Sequence, residues 1–267
     1  MSVITLTTDF GSSASDAGVL SGVIWKTDPE ARIVELTHDI PPQDILAAQI
    51  ILENAAPFFP EGTVHMVVVD PGVGTERRPI AARLGPHFFV GPDNGLVTPL
   101  LERAEANRWT IEVYHLNRPE YWLPEISSIF HGRDIFAPVA AHLAHGTPPS
   151  ALGERINNPI RASVPVPELL DDGWRGQVVQ IDHFGNLSVN IKRGHLEGLG
   201  PVEVRVGGQT VEGLSRTFGE SQPGDLVALI DSSDRLSISV VNGSAAERLK
   251  ARSGSPVEVH RRGGQSA

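Results

Sequence analysis

At 267 residues, 40% hydrophobic and 20% charged, the chain can bury one large core or two smaller ones and has the make-up of an ordinary globular protein. It contains no apolar run long enough to span a bilayer and no cysteine, which excludes disulfides, thiolate zinc sites and cysteine nucleophiles together. The formal net charge of −10 argues against nucleic-acid binding, because a surface that tracks phosphates needs excess Lys and Arg; a small cationic or zwitterionic ligand suits it better. The opening Met1-Ser-Val-Ile-Thr-Leu-Thr-Thr-Asp9 lacks a basic stretch followed by a long apolar one, so a cytoplasmic address is expected.

The first half alternates strand-like and helix-like segments. Residues 4–8 read as a strand ending at Asp9-Phe10-Gly11, 16–27 as a helix, 32–36 as a strand, and 44–56 as a helix with Ile45, Ile50, Ile51 and Leu52 on its core side. Strands are predicted at 64–69, 80–84 and 88–90, a helix at 95–107, a strand at 109–114 and a helix at 132–144 that stops at His-Gly-Thr-Pro-Pro. This order predicts an α/β fold with a mostly parallel sheet covered by helices. From about residue 150 the texture changes to short β-rich runs with glycine turns, at 177–181, 187–191, 202–206, 226–230, 236–241 and 257–260. The expected division is a larger α/β domain over 1–160, a linker over 161–173 and a smaller all-β, barrel-like domain over 174–267, with the tail from Arg261 frayed.

In open α/β sheets ligands bind beyond the carboxyl ends of the strands, which singles out Asp9, Asp39, Asp70 and His131. Asp9 is either a turn or capping residue or a carboxylate accepting two ribose hydroxyls. Asp16 is expected to cap the helix behind it, and His38-Asp39 to sit in a turn held by local hydrogen bonds. Asp70 follows a buried strand, and Pro71, Gly72 and Gly74 enforce a turn that can bring Arg77 back toward it, as an ion pair or as part of a site. Arg133 and Asp134 are expected to serve the first turn of the helix behind His131, and Asn94 to be a turn residue. Asp182 and Asn186 flank the aromatic Phe184 in a turn between strands. No His-Glu-x-x-His, calcium-loop, Walker or dinucleotide pattern occurs, and Gly-x-Ser-x-Gly is absent.

Five stretches, taken in order, resemble the S-adenosyl-L-methionine (SAM) hydrolases, also called SAM hydroxide adenosyltransferases, relatives of the fluorinases and chlorinases. They are Thr8-Asp9-Phe-Gly, Asp70-Pro-Gly-Val-Gly-Thr-Glu-Arg77, Pro92-Asp-Asn-Gly-Leu96, Phe130-His-Gly-Arg-Asp-Ile-Phe-Ala-Pro138 and Ile181-Asp-His-Phe-Gly-Asn186. The resemblance implies conversion of SAM and water to adenosine and L-methionine without metal or redox cofactor. It also implies a homotrimer whose sites lie between one subunit's first domain and its neighbour's second. It places the catalytic set on Asp70, Arg77 and His131, the ribose carboxylate on Asp9, the methionine amino contact on Asp182, adenine contacts on Phe184 and Asn186, and a methionine carboxylate contact on Ser232. The halogenating relatives carry a tyrosine at the position of Asp70. Ala14 and Asp16 depart from a common acid and aromatic, and Gln43 stands where the fluorinase has a tryptophan. A metal-dependent nucleoside N-ribohydrolase using an N-terminal aspartate cluster is the rival reading, and a SAM- or nucleoside-sensing module the non-enzymatic one.

Overall fold

The computed structural model describes residues 3–13, 15–162 and 164–263, and the chain divides into two compact units, Met1–Ser163 and Val164–Ala267. In the first unit, β1 (Val3–Thr8), α1 (Asp16–Thr27), β2 (Arg32–Thr37), α2 (Ile45–Ala55) and β3 (Val64–Val68) follow one another as expected. Then come β4 (Pro79–Leu84), β5 (His87–Pro92), α3 (Thr98–Ala106), β6 (Ile111–Leu116), a π-helical turn at Gly132–Phe136, α4 (Ala137–Ala144) and β7 (Gly153–Ile156). The seven strands form one sheet in the order β2-β1-β3-β5-β4-β6-β7.

The parallel part of the sheet is β2-β1-β3-β5, and β4, β6 and β7 pair antiparallel. The antiparallel half follows from a connection too short for a crossover. Leu84 and His87 are paired, so only Gly85 and Pro86 separate β4 from β5. Gly85 has φ +60, and a Cβ there would lie 2.6 Å from the Trp109 ring, so this corner requires glycine.

Alternation along the buried strands feeds two cores. Val64, Met66 and Val68 of β3 join Ile4 and Leu6 under Leu20 and Ile24 of α1 and Val139 and Ala140 of α4. Val67 and Val69 face the other way, with Ile80, Ala82 and Phe89, under Ala48 and Leu52 of α2 and Leu100, Leu101 and Ala104 of α3. The result is a three-layer arrangement whose parallel strands end on one edge, at Asp9 and Asp70.

Several differences from expectation sit at element ends. Asp16 is the first helical residue of α1 rather than its cap; Ser15 holds the cap position, and Asp16 instead places a negative charge in the first turn. Gly95, at φ +101, keeps the Asp93–Gly95 turn open, so α3 starts at Thr98. The helix after His131 begins with a π turn, and β7 was not predicted because its four residues carry no alternation. Ala14 lies outside the described residues.

The second unit holds β8 (Glu168–Leu169), β9 (Gly173–Ile181), β10 (Leu187–Lys192), α5 (Arg193–Leu196), β11 (Val202–Val206), β12 (Gln209–Glu212), β13 (Leu226–Ile230), β14 (Arg235–Val240), α6 (Ala245–Leu249) and β15 (Pro256–Arg261). Its antiparallel sheet runs β12-β11-β15-β9-β10-β14-β13, with β8 on β9. The end strands β12 and β13 approach each other, giving a nearly closed barrel around Val178, Leu187, Val189, Val204, Ile238 and Val259. Arg261 pairs with Val202, and Arg262 forms an ion pair with Glu212, so the strand reaches further than the expected fraying point. Residues 264–267 lie outside the described residues.

Candidate active site

Two residues past β3 the chain enters the Pro71–Gly74 turn, where the Val73 N–H donates to the Asp70 carbonyl and the Thr75 N–H to that of Gly72. The reversal returns Arg77 to Asp70. Its Nε donates to both carboxylate oxygens at 3.0 and 2.9 Å, and its Nη2 to Oδ2 at 2.5 Å. The two side chains are only 8% and 7% exposed, so this pair is far less screened than a surface salt bridge. Gly74 has φ +75, and a Cβ on it would collide with the carbonyl of Ser128. The turn therefore packs directly on the loop that leads into His131.

That loop is fastened from below by Asp134. Its buried carboxylate accepts from the Ser127 N–H at 2.7 Å and from Arg133 Nε at 2.6 Å, while its carbonyl accepts from the Leu123 N–H. The π turn carries Asp134 inward and sets the Phe136 ring 5.3 Å from the guanidinium carbon of Arg77. His131, held at the head of this turn, receives a hydrogen bond from Arg77 Nη2 at its Nδ1, 2.8 Å away. A guanidinium only donates, so the neutral imidazole accepts at Nδ1 and carries its hydrogen on Nε2. Burial, and then the Arg77 charge, push the His131 pKa below 6.5; Asp70, Asp134 and the Ser127 backbone oppose this only in part.

Asp9, at the end of β1, accepts the backbone N–H of Gln43 at 2.8 Å. His38 and Asp39 are committed nearby: His38 Nδ1 hydrogen-bonds Thr8 Oγ1, and Asp39 accepts from the backbone and hydroxyl of Ser12. Asp9, Gln43, Asp70, Phe130, His131 and Gly132 line a cavity of about 230 Å³. The first unit therefore gathers Asp9, Asp70 and His131 around one space, with Arg77 behind them.

In the second unit, Phe184 and Asn186 line a separate cavity of about 550 Å³ together with Phe218, Val241, Asn242 and Ser244. Asp182 braces this rim. Its Oδ1 accepts the Phe184 and Asn186 N–H groups at 2.9 Å, and its Oδ2 accepts Asn186 Nδ2 at 2.7 Å. Phe184 is left 73% exposed. Ser232 stands exposed in the β13–β14 turn, which is pinned by Asp231 accepting from Ser233 and Arg235.

A supporting network behind Asp70 was not read from the sequence. Asp93 is wholly buried, takes Arg78 Nε and Nη2 on one oxygen and the Ile160 N–H on the other, and Arg78 continues to Asn158. Asn94 donates to the carbonyl of Val69, the residue before Asp70, at 2.9 Å. The signal was the Pro-Asp-Asn-Gly string, whose turn chemistry hides the burial of its aspartate.

Comparison with known proteins matches both parts of the chain to one family. The SAM hydroxide adenosyltransferase N-terminal domain matches residues 4–153, and the C-terminal domain of the same name matches residues 176–258. The chain belongs to the SAM hydroxide adenosyltransferase family. Among individual relatives, the (R)-S-adenosyl-L-methionine hydrolase of Thermus thermophilus is 40% identical over 94% of this chain and 96% of its own. The protein of the same name from Salinispora tropica is 37% identical over 96% and 97%. The crystal structure of an uncharacterized conserved protein from Thermotoga maritima superposes with a TM-score of 0.88 at 34% identity, covering 97% of this chain and 100% of that one. The two family domains enclose every candidate residue: Asp9, Asp70, Arg77 and His131 in the first, Asp182, Phe184, Asn186 and Ser232 in the second.

Proposed function

We propose that this protein hydrolyses SAM to adenosine and L-methionine by in-line attack of an activated water on the ribose 5′ carbon. The observation that carries the reading is the Asp70–Arg77–His131 hydrogen-bond chain on the rim of the strand-end cavity. The leaving group departs from a sulfonium as a neutral thioether, so it needs neither a proton donor nor a metal. The demanding step is presenting water with hydroxide character. Asp70 orients the water and takes its proton, while His131, whose Nδ1 is occupied by Arg77, offers its Nε2–H to the oxygen as charge develops. General-base help and preorganised donors are each worth on the order of 10²- to 10⁴-fold. A carboxylate at this position also repels a halide approaching the same carbon, which favours water.

Asp9 takes the ribose hydroxyls in this reading, and Phe184 and Asn186 take the adenine. Asp182 and Ser232 take the amino and carboxylate ends of methionine. The resemblance that supports these roles also supports a homotrimer with sites shared between subunits; among the described residues no helix is long and apolar enough to cross a membrane. The N-ribohydrolase reading is not favoured: its acid cluster needs Asp39, whose carboxylate accepts from Ser12, and among the described residues no group of three or more His, Asp or Glu is placed to hold a metal ion.

The test is to incubate pure protein with SAM, with and without chelator and across chloride concentrations, and to separate the products. Adenosine and methionine in equal amounts, indifferent to both additions, and lost in an Asp70→Ala variant that still binds SAM, support the reading. Free adenine, or 5′-chloroadenosine, overturns it.

A further inference from the structure

Gln43 occupies a backbone conformation that its side chain does not favour. The Asp44 N–H donates to the Pro41 carbonyl at 3.0 Å, Pro42 takes the second position of this turn, and Gln43 takes the third with φ +64. Such a turn asks for glycine or asparagine at that place, since an L side chain in the left-handed region is strained. The strain is locked in from three sides. Asp44 goes on to cap α2 through the Ala47 N–H at 2.9 Å, Pro42 fixes the chain before it, and the Gln43 N–H is held by Asp9. None of these contacts uses the Gln43 side chain, and Gln43 is one of the residues that line the cavity with Asp9. A costly residue kept where glycine serves the turn better points to a use for the side chain.

The chemistry of a ribose diol supplies that use. Each hydroxyl carries one hydrogen to donate and lone pairs to be satisfied. Asp9 only accepts, and one of its oxygens already holds the Gln43 N–H. Arg77 is not among the residues lining the cavity, and its Nε and Nη2 donate to Asp70 and His131. Among the lining residues on the Asp9 side, Gln43 is the one whose side chain carries a donor, its amide.

We propose that Gln43 is a specificity-determining residue for the sugar: its Nε2–H donates to a ribose hydroxyl oxygen while Asp9 accepts the hydroxyl hydrogens. This rests on the SAM-hydrolase reading and deepens it. The two residues work as one clamp, because the same backbone N–H that pins the carboxylate fixes the origin of the amide side chain. A substrate without the contacted hydroxyl forfeits the amide's hydrogen bond.

The test compares wild type with a Gln43→Gly variant, which keeps the N–H that holds Asp9 and relieves the turn. Steady-state kinetics are measured on SAM and on its 2′-deoxy and 3′-deoxy analogues, alongside the melting midpoint. The variant is expected to lose roughly 5- to 10-fold in kcat/KM on SAM, the size of one neutral hydrogen bond. The penalty for removing one of the two hydroxyls from the substrate is expected to shrink by the same factor, which is the signature of direct coupling. The midpoint is expected to hold or rise. A deoxy penalty unchanged in the variant for both analogues, or a midpoint lowered by several degrees, overturns the proposal. Failure of the wild type to turn over SAM overturns the reaction assignment instead, so the two failures are told apart.

Discussion

His65 gives the first unit an acid-sensitive weak point. It lies in β3, fully buried, with Nδ1 hydrogen-bonded to Thr5 Oγ1 at 2.9 Å and with Nε2 lacking a hydrogen-bond partner among the described residues. Its ring packs edge-on to Phe59 and 5.2 Å from that of His87. Burial, and then His87, push its pKa down from 6.5 to about 3. The unfolded chain therefore binds a proton that the folded chain refuses. The stability is fully present above pH 6.5 and is lost as the pH falls toward 3. One pH unit of such a difference is worth about 1.4 kcal/mol, so His65 alone removes about 2 kcal/mol by pH 5 and on the order of 4–5 kcal/mol by pH 3. Replacing it with asparagine keeps a hydrogen-bonding partner for Thr5 and removes the titration. Urea unfolding is followed by tryptophan fluorescence in a Trp174→Phe background, which leaves Trp25, Trp109 and Trp122 reporting on the first unit. At pH 7 the His65→Asn variant is the less stable protein; by pH 5 its deficit relative to the parent narrows by about 2 kcal/mol. A deficit that stays constant between pH 7 and pH 5 refutes the reasoning.

Two further outcomes concern the site. Protonating His131 fills the Nδ1 lone pair that receives Arg77, so kcat/KM falls on the acid side of 6.5, as the pH drops through the lowered His131 value. In a His131→Asn variant the residual activity loses this limb, and an acid limb of unchanged position and depth argues against the histidine. A Gly74→Ala substitution adds a Cβ against the Ser128 carbonyl in a left-handed residue. It is expected to cost 2 kcal/mol or more, roughly the sum of backbone strain and a forced shift, and to cut turnover more than SAM binding because it displaces the Asp70 turn from the His131 loop. Calorimetry and isothermal titration measure both.

Much of the site was legible because its residues sit beside glycines and prolines at strand ends. The run from Asp70 to Arg77 shows its reversal in Pro71, Gly72 and Gly74, and a buried strand before it leaves the carboxylate at the sheet's edge. His131 was legible by position, but the π turn behind it was not, since Gly132 to Phe136 reads equally well as α-helix and the extra residue per turn is decided by Asp134 finding the Ser127 N–H. The antiparallel half of the first sheet was hidden for a similar reason. The strands around Gly85-Pro86 were read as separate runs, and only their register shows that the two residues between them close a hairpin. Asp93 escaped notice because a Pro-Asp-Asn-Gly string is indistinguishable from an exposed turn until Arg78, distant in the turn before it, is seen to cover it. The second unit's strands were found where alternation was strong, and β8 and β12 were missed because two- and four-residue strands carry too little pattern.

The pairing of Arg77 with Asp70 also sets how the site lets go of what it makes. Arg77 offsets part of the Asp70 charge and His131 is neutral above its lowered pKa, so with Asp9 the side chains around the cavity stay net negative. In the proposed reaction the sulfur arrives as a cation and leaves as an uncharged thioether, whatever other charges the substrate carries. The attraction that draws the sulfonium toward a negative cavity therefore disappears with the bond that breaks. Capture is electrostatic and release is not opposed by it, so the products compete poorly with the next substrate molecule.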